Sequence, residues 1–293
     1  MLNTEEAFAK FRSRLELTKR EQESASKRQQ EVRAHLNGSF DIERDFLTGS
    51  YKRYTKTKPL KDVDIFCVLG EEERHYRDEP SGNVLSAFED ALVEKYGRSA
   101  VIQQRRSVSV EFAEDRDGEK VLSCDVVPAF ALRDHYEICD QEGSEGWIET
   151  NPRTHEDLAV AAHAAFSAEW KGLVRMMKYW NNNNGKPIKP SFLIEVMALE
   201  VLHPPYGGQR HREMQFFFAS LAARIGDTWP DPAGLGPPVS DSMDSVRIAA
   251  AREALASAEY RAARAIETSR AGRQGDALRQ WRDLFGGPLF PLS

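Results

Sequence analysis

The first half of the chain combines strand-like and helix-like hydrophobic patterns. Apart from Asp64, the run from Val63 to Leu69 is apolar and rich in β-branched residues, which predicts a buried strand. Two more strand-like runs cover residues 107–113 and 120–130, and the Asp-Gly between them predicts a hairpin connection. A helix is predicted from about Leu85 to Gly97. This order of elements predicts an α+β half.

After Pro152 the apolar residues follow helical spacing. Helical segments are predicted over residues 155–185, 191–202 and 212–226, followed by a loop and one long helix from about residue 245 to 285. The N-terminal residues from about Thr4 to Leu36 also predict one long helix, which Asn37-Gly38 would end. We therefore expect two lobes, residues 1–152 and 153–293, the second of them all-helical.

The composition is that of a globular protein, with 41% hydrophobic and 29% charged residues. No apolar run reaches the roughly 18 residues that a membrane span needs, so we expect no membrane association. The charged N-terminus is unlike a secretory signal. The three cysteines have no C-x-x-C spacing, which argues against a zinc site or a disulfide framework and indicates a cytoplasmic protein.

The charge distribution favours a small polyanion as the ligand. The formal net charge is −6, whereas a protein that binds nucleic acid constitutively usually has a basic surplus. The basic residues are instead concentrated in one short run, Lys52, Arg53, Lys56, Lys58 and Lys61. This pattern predicts a local site such as a nucleotide pocket.

Two aspartates in the predicted strand are the candidate chemical groups. Side chains two residues apart in a strand share a face, so Asp62 and Asp64 should project together and repel each other. A divalent cation relieves this repulsion, and few oxygen ligands suit Mg²⁺ or Mn²⁺. Asp125 interrupts another apolar run, and three carboxylates can hold two metal ions. The turn at Gly49-Ser50 can bring backbone N–H groups and a hydroxyl close to phosphate.

Taken singly, each of these features is more often structural. An Asp-x-Asp usually lies in a solvated loop, Gly-Ser is usually a turn, and a basic run is usually a solvated face. Their conjunction is more specific: Gly49-Ser50, eleven intervening residues, Asp62-Val63-Asp64 at the start of a strand, and a later Asp125.

This arrangement resembles the nucleotidyltransferases of the DNA polymerase beta type, whose pattern is a hydrophobic residue, Gly-Ser, a spacer of about ten residues and Asp-hydrophobic-Asp-hydrophobic. Asp125 matches the family's third carboxylate. The resemblance implies that Asp62, Asp64 and Asp125 are the catalytic and metal-binding residues, with two Mg²⁺ or Mn²⁺ ions per site. It also implies a lobe with a mixed sheet, packed on the helical lobe and bridged to it by the long N-terminal helix.

The second half is similar to the core helical segment of oligoadenylate synthases, cyclic GMP-AMP synthase and archaeal CCA-adding enzymes. Lys178 and Trp180 match a Lys-x-Trp motif, and Ser191, Phe192 and Glu195 match the motif that follows it. By this resemblance Lys178 and Ser191 hold a triphosphate together with Gly49 and Ser50, and Phe192 stacks on a base. Trp180 and Glu195 are expected to be structural, bridging the two halves, and Phe192 is equally compatible with a place in the core. Lys178 has no evident structural role, which favours the phosphate interpretation.

Bacterial proteins of this size and layout are the cGAS/DncV-like nucleotidyltransferases. The resemblance implies that this chain joins ATP, with or without another nucleoside triphosphate, into an adenine-containing cyclic di- or trinucleotide, a messenger that reaches a downstream effector in anti-phage defence. The acidic net charge favours a protein activator, or constitutive activity, over activation by nucleic acid. Two alternatives remain open: transfer of nucleotides to RNA or protein, and a catalytically silent nucleotide-binding scaffold. The C-terminal residues 281–293 are either a peptide ligand or, as we favour, packed on the protein.

Overall fold

The computed structural model describes residues 2–112, 122–142 and 146–293. Within these ranges the strands form one seven-stranded mixed sheet. In chain order they are β1 (Ile42–Thr48), β2 (Asp62–Leu69), β3 (Val101–Gln103), β4 (Val108–Phe112), β5 (Leu122–Ala131), β6 (Tyr136–Cys139) and β7 (Trp147–Thr150). The main path is β1-β2-β5-β4-β3, in which only β2 and β5 pair in parallel. β6 pairs with the end of β5, and β7 pairs with β6.

The α-helices of the described residues lie beside this sheet or in a separate helical body. They are α1 (Thr4–Arg14), α2 (Lys19–Ser39), α3 (Gly49–Lys52), α4 (Gly82–Tyr96), α5 (Pro152–Ala165), α6 (Trp170–Asn183), α7 (Phe192–Val201), α8 (Arg210–Arg224), α9 (Ser245–Arg270) and α10 (Gln274–Phe285). Among them, α2 and α4 pack on the sheet, whereas α1 and the helices after β7 form the separate helical body. Each described strand precedes α5, so the predicted α+β architecture, with helices alone in the second half, is confirmed. The exact lobe boundary at residue 152 stays a prediction.

The strongly apolar strand predictions are confirmed as β2, β4 and β5, and the predicted helix near Leu85 is α4. β4 and β5 pair antiparallel, as a hairpin requires, although the connection over residues 113–121 lies outside the described residues. The sequence patterns did not indicate β1, β3, β6 or β7. β1 lies at an edge of the sheet and carries charged residues, so its alternation is weak.

Three predicted helical segments are broken, and each break has a local cause. The expected single helix from Thr4 to Leu36 is wrong: α1 ends at Arg14, and Thr18 begins α2 by a reciprocal capping box with Glu21. The segment 155–185 divides into α5 and α6 around Ser167 and Ala168, both with positive φ. The long C-terminal helix ends early, at the turn where Gly272 has φ 78°, and α10 follows it.

The two N-terminal helices bury their apolar faces in two different cores. Val32 and Leu36 of α2 lie in the cluster formed by the sheet and α4. Phe8 and Phe11 of α1 lie in the cluster formed by α6 to α10. The expected bridge between the sheet and the helical body is therefore present, but it consists of two helices joined by a turn.

The C-terminal residues pack on the protein, as favoured above. Phe290 is fully buried, with its ring 5.3 Å from that of Phe8 and 5.6 Å from that of Phe285. The tail is thereby part of the helical core, so a partner protein cannot take it as a free peptide without opening that core.

The buried Phe290 provides a test of this packing. We expect Phe290→Ala to lower the free energy of unfolding by about 3 kcal/mol or more, because a large cavity remains in the core. The matched control is Leu292→Ala two residues later, where the side chain is 36% exposed and the loss should stay below about 0.5 kcal/mol. Chemical denaturation measures both; equal losses in the two variants would contradict the packing described here.

Candidate active site

The strand register places the three predicted aspartates side by side. Asp64 on β2 is the direct partner of Asp125 on β5, and the row continues to Thr48 on β1 and Ser109 on β4. Asp62 lies two residues before Asp64 and so shares its face. One carboxylate oxygen from each aspartate lies within 4.8 Å of the other two. The predicted clustering is thus confirmed, and it results from the parallel pairing of β2 with β5.

The surroundings neutralise these carboxylates only in part. Lys56 forms an ion pair with Asp62, and the Ser109 hydroxyl donates a hydrogen bond to Asp125 Oδ1 at 2.6 Å. Burial, followed by repulsion from Asp62 and Asp125, raises the pKa of Asp64 to about 7. Burial also raises the pKa of Asp125, although the Ser109 bond opposes it. The cluster has the oxygen donors that Mg²⁺ or Mn²⁺ prefers and an excess of negative charge that such a cation would relieve.

Gly49 is the residue on which this geometry depends most directly. It follows β1 with φ 66°, and a Cβ there would lie only 1.7 Å from Asp64 Oδ2. Only glycine permits both the backbone conformation and this close approach. The backbone of the next residue, Ser50, is also held in place. Its carbonyl oxygen accepts hydrogen bonds from the amides of Thr55 and Lys56 at 3.0 and 3.1 Å. The turn therefore places the backbone of Gly49 against the Asp64 carboxylate, and its contact with phosphate stays a prediction.

A buried ion cluster joins this turn to the helical body. Arg53 donates two hydrogen bonds to Glu195 on α7, at 2.9 and 3.0 Å, and Lys178 on α6 donates a third at 2.6 Å. All three side chains are at most 7% exposed. Burial alone would raise the pKa of Glu195, but the two cations lower it well below its usual range. Glu195 is therefore an ionised link between the two halves, as the sequence suggested.

Two expectations about the Lys-x-Trp motif need revision. Lys178 does have a structural partner, Glu195, which the sequence could not reveal; its contact with a triphosphate stays a prediction. Trp180 does not bridge the halves. It is buried in the helical core, with its ring 5.1 Å from that of Phe218.

Ser191 and Phe192 lie at the start of α7, facing the carboxylates across a cleft. Ser191 is exposed, and Phe192 is half-buried with the Arg53 guanidinium 4.7 Å from its ring centre. The His155 ring lies 5.0 Å from the same phenyl ring. Phe192 thus packs against the helical core and also lines the cleft. Base stacking on its ring stays a prediction.

The cleft has two compartments that meet at Ser50, Asp62, Lys178 and Ser191. The first has a volume of about 410 Å³ and contains Gly49, Asp64 and Phe192. The second has a volume of about 300 Å³ and is lined by lysines: Lys56, Lys61, Lys178, Lys186 and Lys189. These volumes fall within the usual range for ligand sites. The first compartment combines apolar and aromatic side chains with charged ones, and the second is cationic. This pairing suits the base and the phosphates of a nucleotide.

Sequence reasoning missed several residues of the cleft. His155 and Asp231, paired at 2.5 Å, and Arg106 come from segments with no recognisable motif. Lys186 and Lys189 follow the Asn run, where their alternation with apolar residues was a weak signal. The predicted basic run is itself divided: Lys56 and Lys61 line the cationic compartment, whereas Lys58 pairs with Glu21 at 3.7 Å.

Comparison with known families identifies this arrangement. The family model of the Second Messenger Oligonucleotide or Dinucleotide Synthetase (SMODS) domain matches residues 2–161, which include all three aspartates. The chain belongs to the SMODS family. It is therefore an enzyme, a nucleotidyltransferase of the cGAS/DncV-like type, which confirms the resemblance drawn from its motifs.

Two curated relatives are similar, one over most of its length and the other over about half. A probable cyclic nucleotide synthase of Bacillus cereus strain VD146 is 26% identical over 267 residues, which cover 81% of this chain and 80% of that protein. The cyclic AMP-AMP-AMP synthase of an Acinetobacter species is 27% identical over 201 residues, covering 65% of this chain and 54% of that protein.

Solved structures of SMODS-type enzymes share the fold. The CD-NTase CdnG of Bradyrhizobium diazoefficiens, in complex with GTP, superposes with a TM-score of 0.76 at 16% identity, covering 97% of this chain and 95% of that one. Escherichia coli MS115-1 CdnC, in complex with a HORMA protein, gives 0.72 at 20% identity, covering 98% of each chain. Among the described helices, none is long and apolar enough to cross a bilayer.

The raised pKa of Asp64 predicts a pH dependence for the metal-free SMODS protein. The folded state binds this proton more tightly than the unfolded chain, whose carboxyl pKa is about 4. Without metal, stability should therefore fall as the pH rises from about 4 to about 7, by at most about 1.4 kcal/mol per pH unit. Asp64→Asn should remove this slope and raise the Tm at about pH 8 in the presence of a chelator.

Thermal unfolding across this pH range checks the prediction, with the exposed Asp90→Asn on α4 as control. Added Mg²⁺ should raise the Tm of the wild type more than that of Asp64→Asn. An identical pH slope in the wild type and Asp64→Asn would show that Asp64 carries no excess charge repulsion.

Proposed function

We propose that this chain is a metal-dependent cyclic oligonucleotide synthase that uses ATP, with or without a second nucleoside triphosphate, and closes an adenine-containing cyclic di- or trinucleotide. The observation that carries the proposal is the aspartate cluster at the cleft, where Asp62 lies at the junction of the compartment that contains Phe192 and the lysine-lined one. The relatives support it, because one is a probable cyclic nucleotide synthase and the other a cyclic AMP-AMP-AMP synthase.

The chain's own residues would position the reacting groups. Asp62, Asp64 and Asp125 would hold two divalent cations, which supply activation of the attacking hydroxyl and neutralisation of the leaving pyrophosphate. Ser50, Lys178 and Ser191, at the junction of the compartments, would bind the triphosphate. A ribose hydroxyl then attacks the α-phosphorus, forming a phosphodiester, breaking the bond to pyrophosphate and releasing one proton. One such step joins each added nucleotide, and a last one within the linear product closes the ring with release of its own pyrophosphate.

The biological setting is a further part of the proposal. We propose a role in anti-phage defence in the cytoplasm, where the buried cysteines Cys67, Cys124 and Cys139 remain free thiols and the cyclic product acts on a downstream effector. The structural neighbour bound to a HORMA protein favours a folded protein as activator. The acidic net charge of −6 argues against activation by a long nucleic acid.

Product analysis tests this proposal. The purified protein is incubated with labelled nucleoside triphosphates and Mg²⁺ or Mn²⁺ and then treated with phosphatase. The mass of the resistant product is measured by mass spectrometry. We expect a cyclic product that contains adenine, with Asp62→Asn reducing its rate by orders of magnitude. The control is again Asp90→Asn, which should leave the rate unchanged.

The alternatives give different products in the same assay. A linear product, or label transferred to added RNA or to protein, would contradict cyclisation, and no product with any nucleotide pair, with or without a partner protein, would indicate a silent scaffold. Activity that appears only with added nucleic acid, and falls steeply with salt, would contradict the proposed activator.

The triphosphate role of Lys178 is tested separately. We expect Lys178→Ala to weaken nucleotide binding by about ten- to a hundredfold, since a charge-assisted contact is worth roughly 1.5–3 kcal/mol. Calorimetric titration with a non-hydrolysable ATP analogue measures this in protein whose folding is verified by circular dichroism. The exposed Lys27→Ala on α2 serves as control. Unchanged affinity in a folded Lys178→Ala variant would leave Lys178 only its structural bond to Glu195.

A further inference from the structure

A second cavity lies on the opposite side of the segment that carries the Gly-Ser turn. Its volume is about 630 Å³, larger than either compartment of the active site. The turn between α1 and α2, the residues after Gly49 and the helices α5 and α6 all contribute to its walls, through Arg12, Glu16, Leu17, Gln22, Leu47, Tyr51, Lys52, Tyr54, Lys56, His163, Lys171 and Arg175. We call it the back cavity.

The charged groups of the back cavity are strongly unbalanced. Its walls contain five lysine and arginine side chains and one carboxylate, that of Glu16. Four of the cations have an acidic partner: Arg12 pairs with Glu169, Lys52 with Glu156, Lys56 with Asp62 and Arg175 with Glu16. Lys171 is the exception, because no carboxylate of the described residues lies within ion-pair distance of its ammonium group.

Lys171 is nonetheless nearly buried, with an exposure of 8%. Its ammonium group lies 5.4 Å from the centre of the Tyr54 ring. Burial lowers its pKa; the more distant carboxylate of Glu156 opposes this effect, and Arg175 adds to it. A buried cation without an anionic partner destabilises the folded protein unless a ligand supplies the missing charge. The back cavity thus contains a positive charge, that of Lys171, that no ion pair of the described residues compensates.

Two guanidinium groups of the back cavity also have unsatisfied hydrogen-bond donors. The Nε atoms of Arg12 and Arg175 are buried and have no hydrogen-bond partner. The terminal nitrogens of Arg175 are already used, by the Tyr54 carbonyl at 2.7 Å and by Glu16 at 2.9 Å, so the Nε is held in place with its donor unsatisfied. Buried donors of charged groups are rarely left unpaired in proteins.

The remaining wall is apolar and aromatic. Leu17, Leu47 and Tyr51 line it together with Tyr54, which is 69% exposed. We propose that the back cavity binds a small organic anion that carries a flat aromatic group, with the anionic group at Lys171 and Arg175 and the aromatic group against the tyrosines. The site is separate from the metal cluster, so the proposal does not depend on the proposed reaction.

The location gives such a ligand direct contact with the catalytic segment. Gly49, Ser50 and Arg53 face the active-site cleft, whereas Tyr51, Lys52 and Tyr54 face the back cavity. Lys56 lines both the back cavity and the lysine-lined compartment, where it pairs with Asp62. Tyr54 itself has φ 57° and holds Arg175 through its carbonyl oxygen.

Binding of 8-anilinonaphthalene-1-sulfonate, an aromatic anion whose fluorescence rises when it leaves water, tests the site in the full chain. We expect one equivalent to bind and a saturating non-hydrolysable ATP analogue with Mg²⁺ to leave it in place. Lys171→Gln should weaken the affinity about tenfold or more, while the Tm of the ligand-free protein stays the same or rises. The exposed Lys10→Gln on α1 is the matched control and should bind like the wild type.

A second variant keeps the test decisive if Lys171→Gln does not fold. Tyr54→Gly removes the aromatic ring at a backbone conformation that glycine adopts freely, and it should also weaken binding about tenfold. Affinity within twofold of the wild type in the folded variants, or displacement of the probe by the ATP analogue, would overturn the proposal. Because the readout is fluorescence, this outcome is independent of whether the protein makes a cyclic nucleotide.

Discussion

Repulsion among three carboxylates is the constraint around which this fold is organised. Asp62, Asp64 and Asp125 are held together by the parallel pairing of β2 with β5, a backbone arrangement that the rest of the sheet stabilises. Lys56 and Ser109 offset part of the repulsion, and burial together with the remaining repulsion raises the pKa of Asp64 to about 7. A protein that keeps such a cluster gives up stability for a site that binds cations, which is the pattern expected of a metal-dependent transferase.

The segment from Gly49 to Lys56 links this cluster to every other functional part. Gly49 touches Asp64, Arg53 reaches the helical body through Glu195, and Lys56 reaches Asp62. Because the Arg53–Glu195–Lys178 cluster is buried, the helices that carry Ser191 and Phe192 cannot move far from the sheet without separating paired charges. The same segment also forms a wall of the back cavity, so the two cavities share one short piece of backbone.

The parts of this structure that the sequence predicts are those with a strong local pattern. Asp62, Asp64 and Asp125 could be placed together because each sits in an apolar strand and the Gly-Ser turn has a defined spacing. The helix breaks at Thr18 and Gly272 could have been read from capping and glycine signals, but long helical composition obscured them. The partnership of Glu195 with Arg53 and Lys178 could not, since these residues are 142 and 17 positions away from Glu195 in the chain and meet it only through tertiary packing. An edge strand such as β1 shows no clear alternation of apolar and polar residues. Cleft residues such as His155 and Asp231 belong to no local motif, so the sequence pattern does not reveal them either.

We propose that the aspartate cluster is a metal site at which a nucleotide reacts. The most direct measurement is a crystal structure of the protein with Mn²⁺ and a non-hydrolysable ATP analogue, with data collected at the manganese absorption edge. We expect two anomalous peaks in contact with Asp62, Asp64 and Asp125, and a triphosphate that reaches into the lysine-lined compartment. Nucleotide bound elsewhere, or a nucleotide in the cleft with no anomalous peak at the three aspartates, would contradict it.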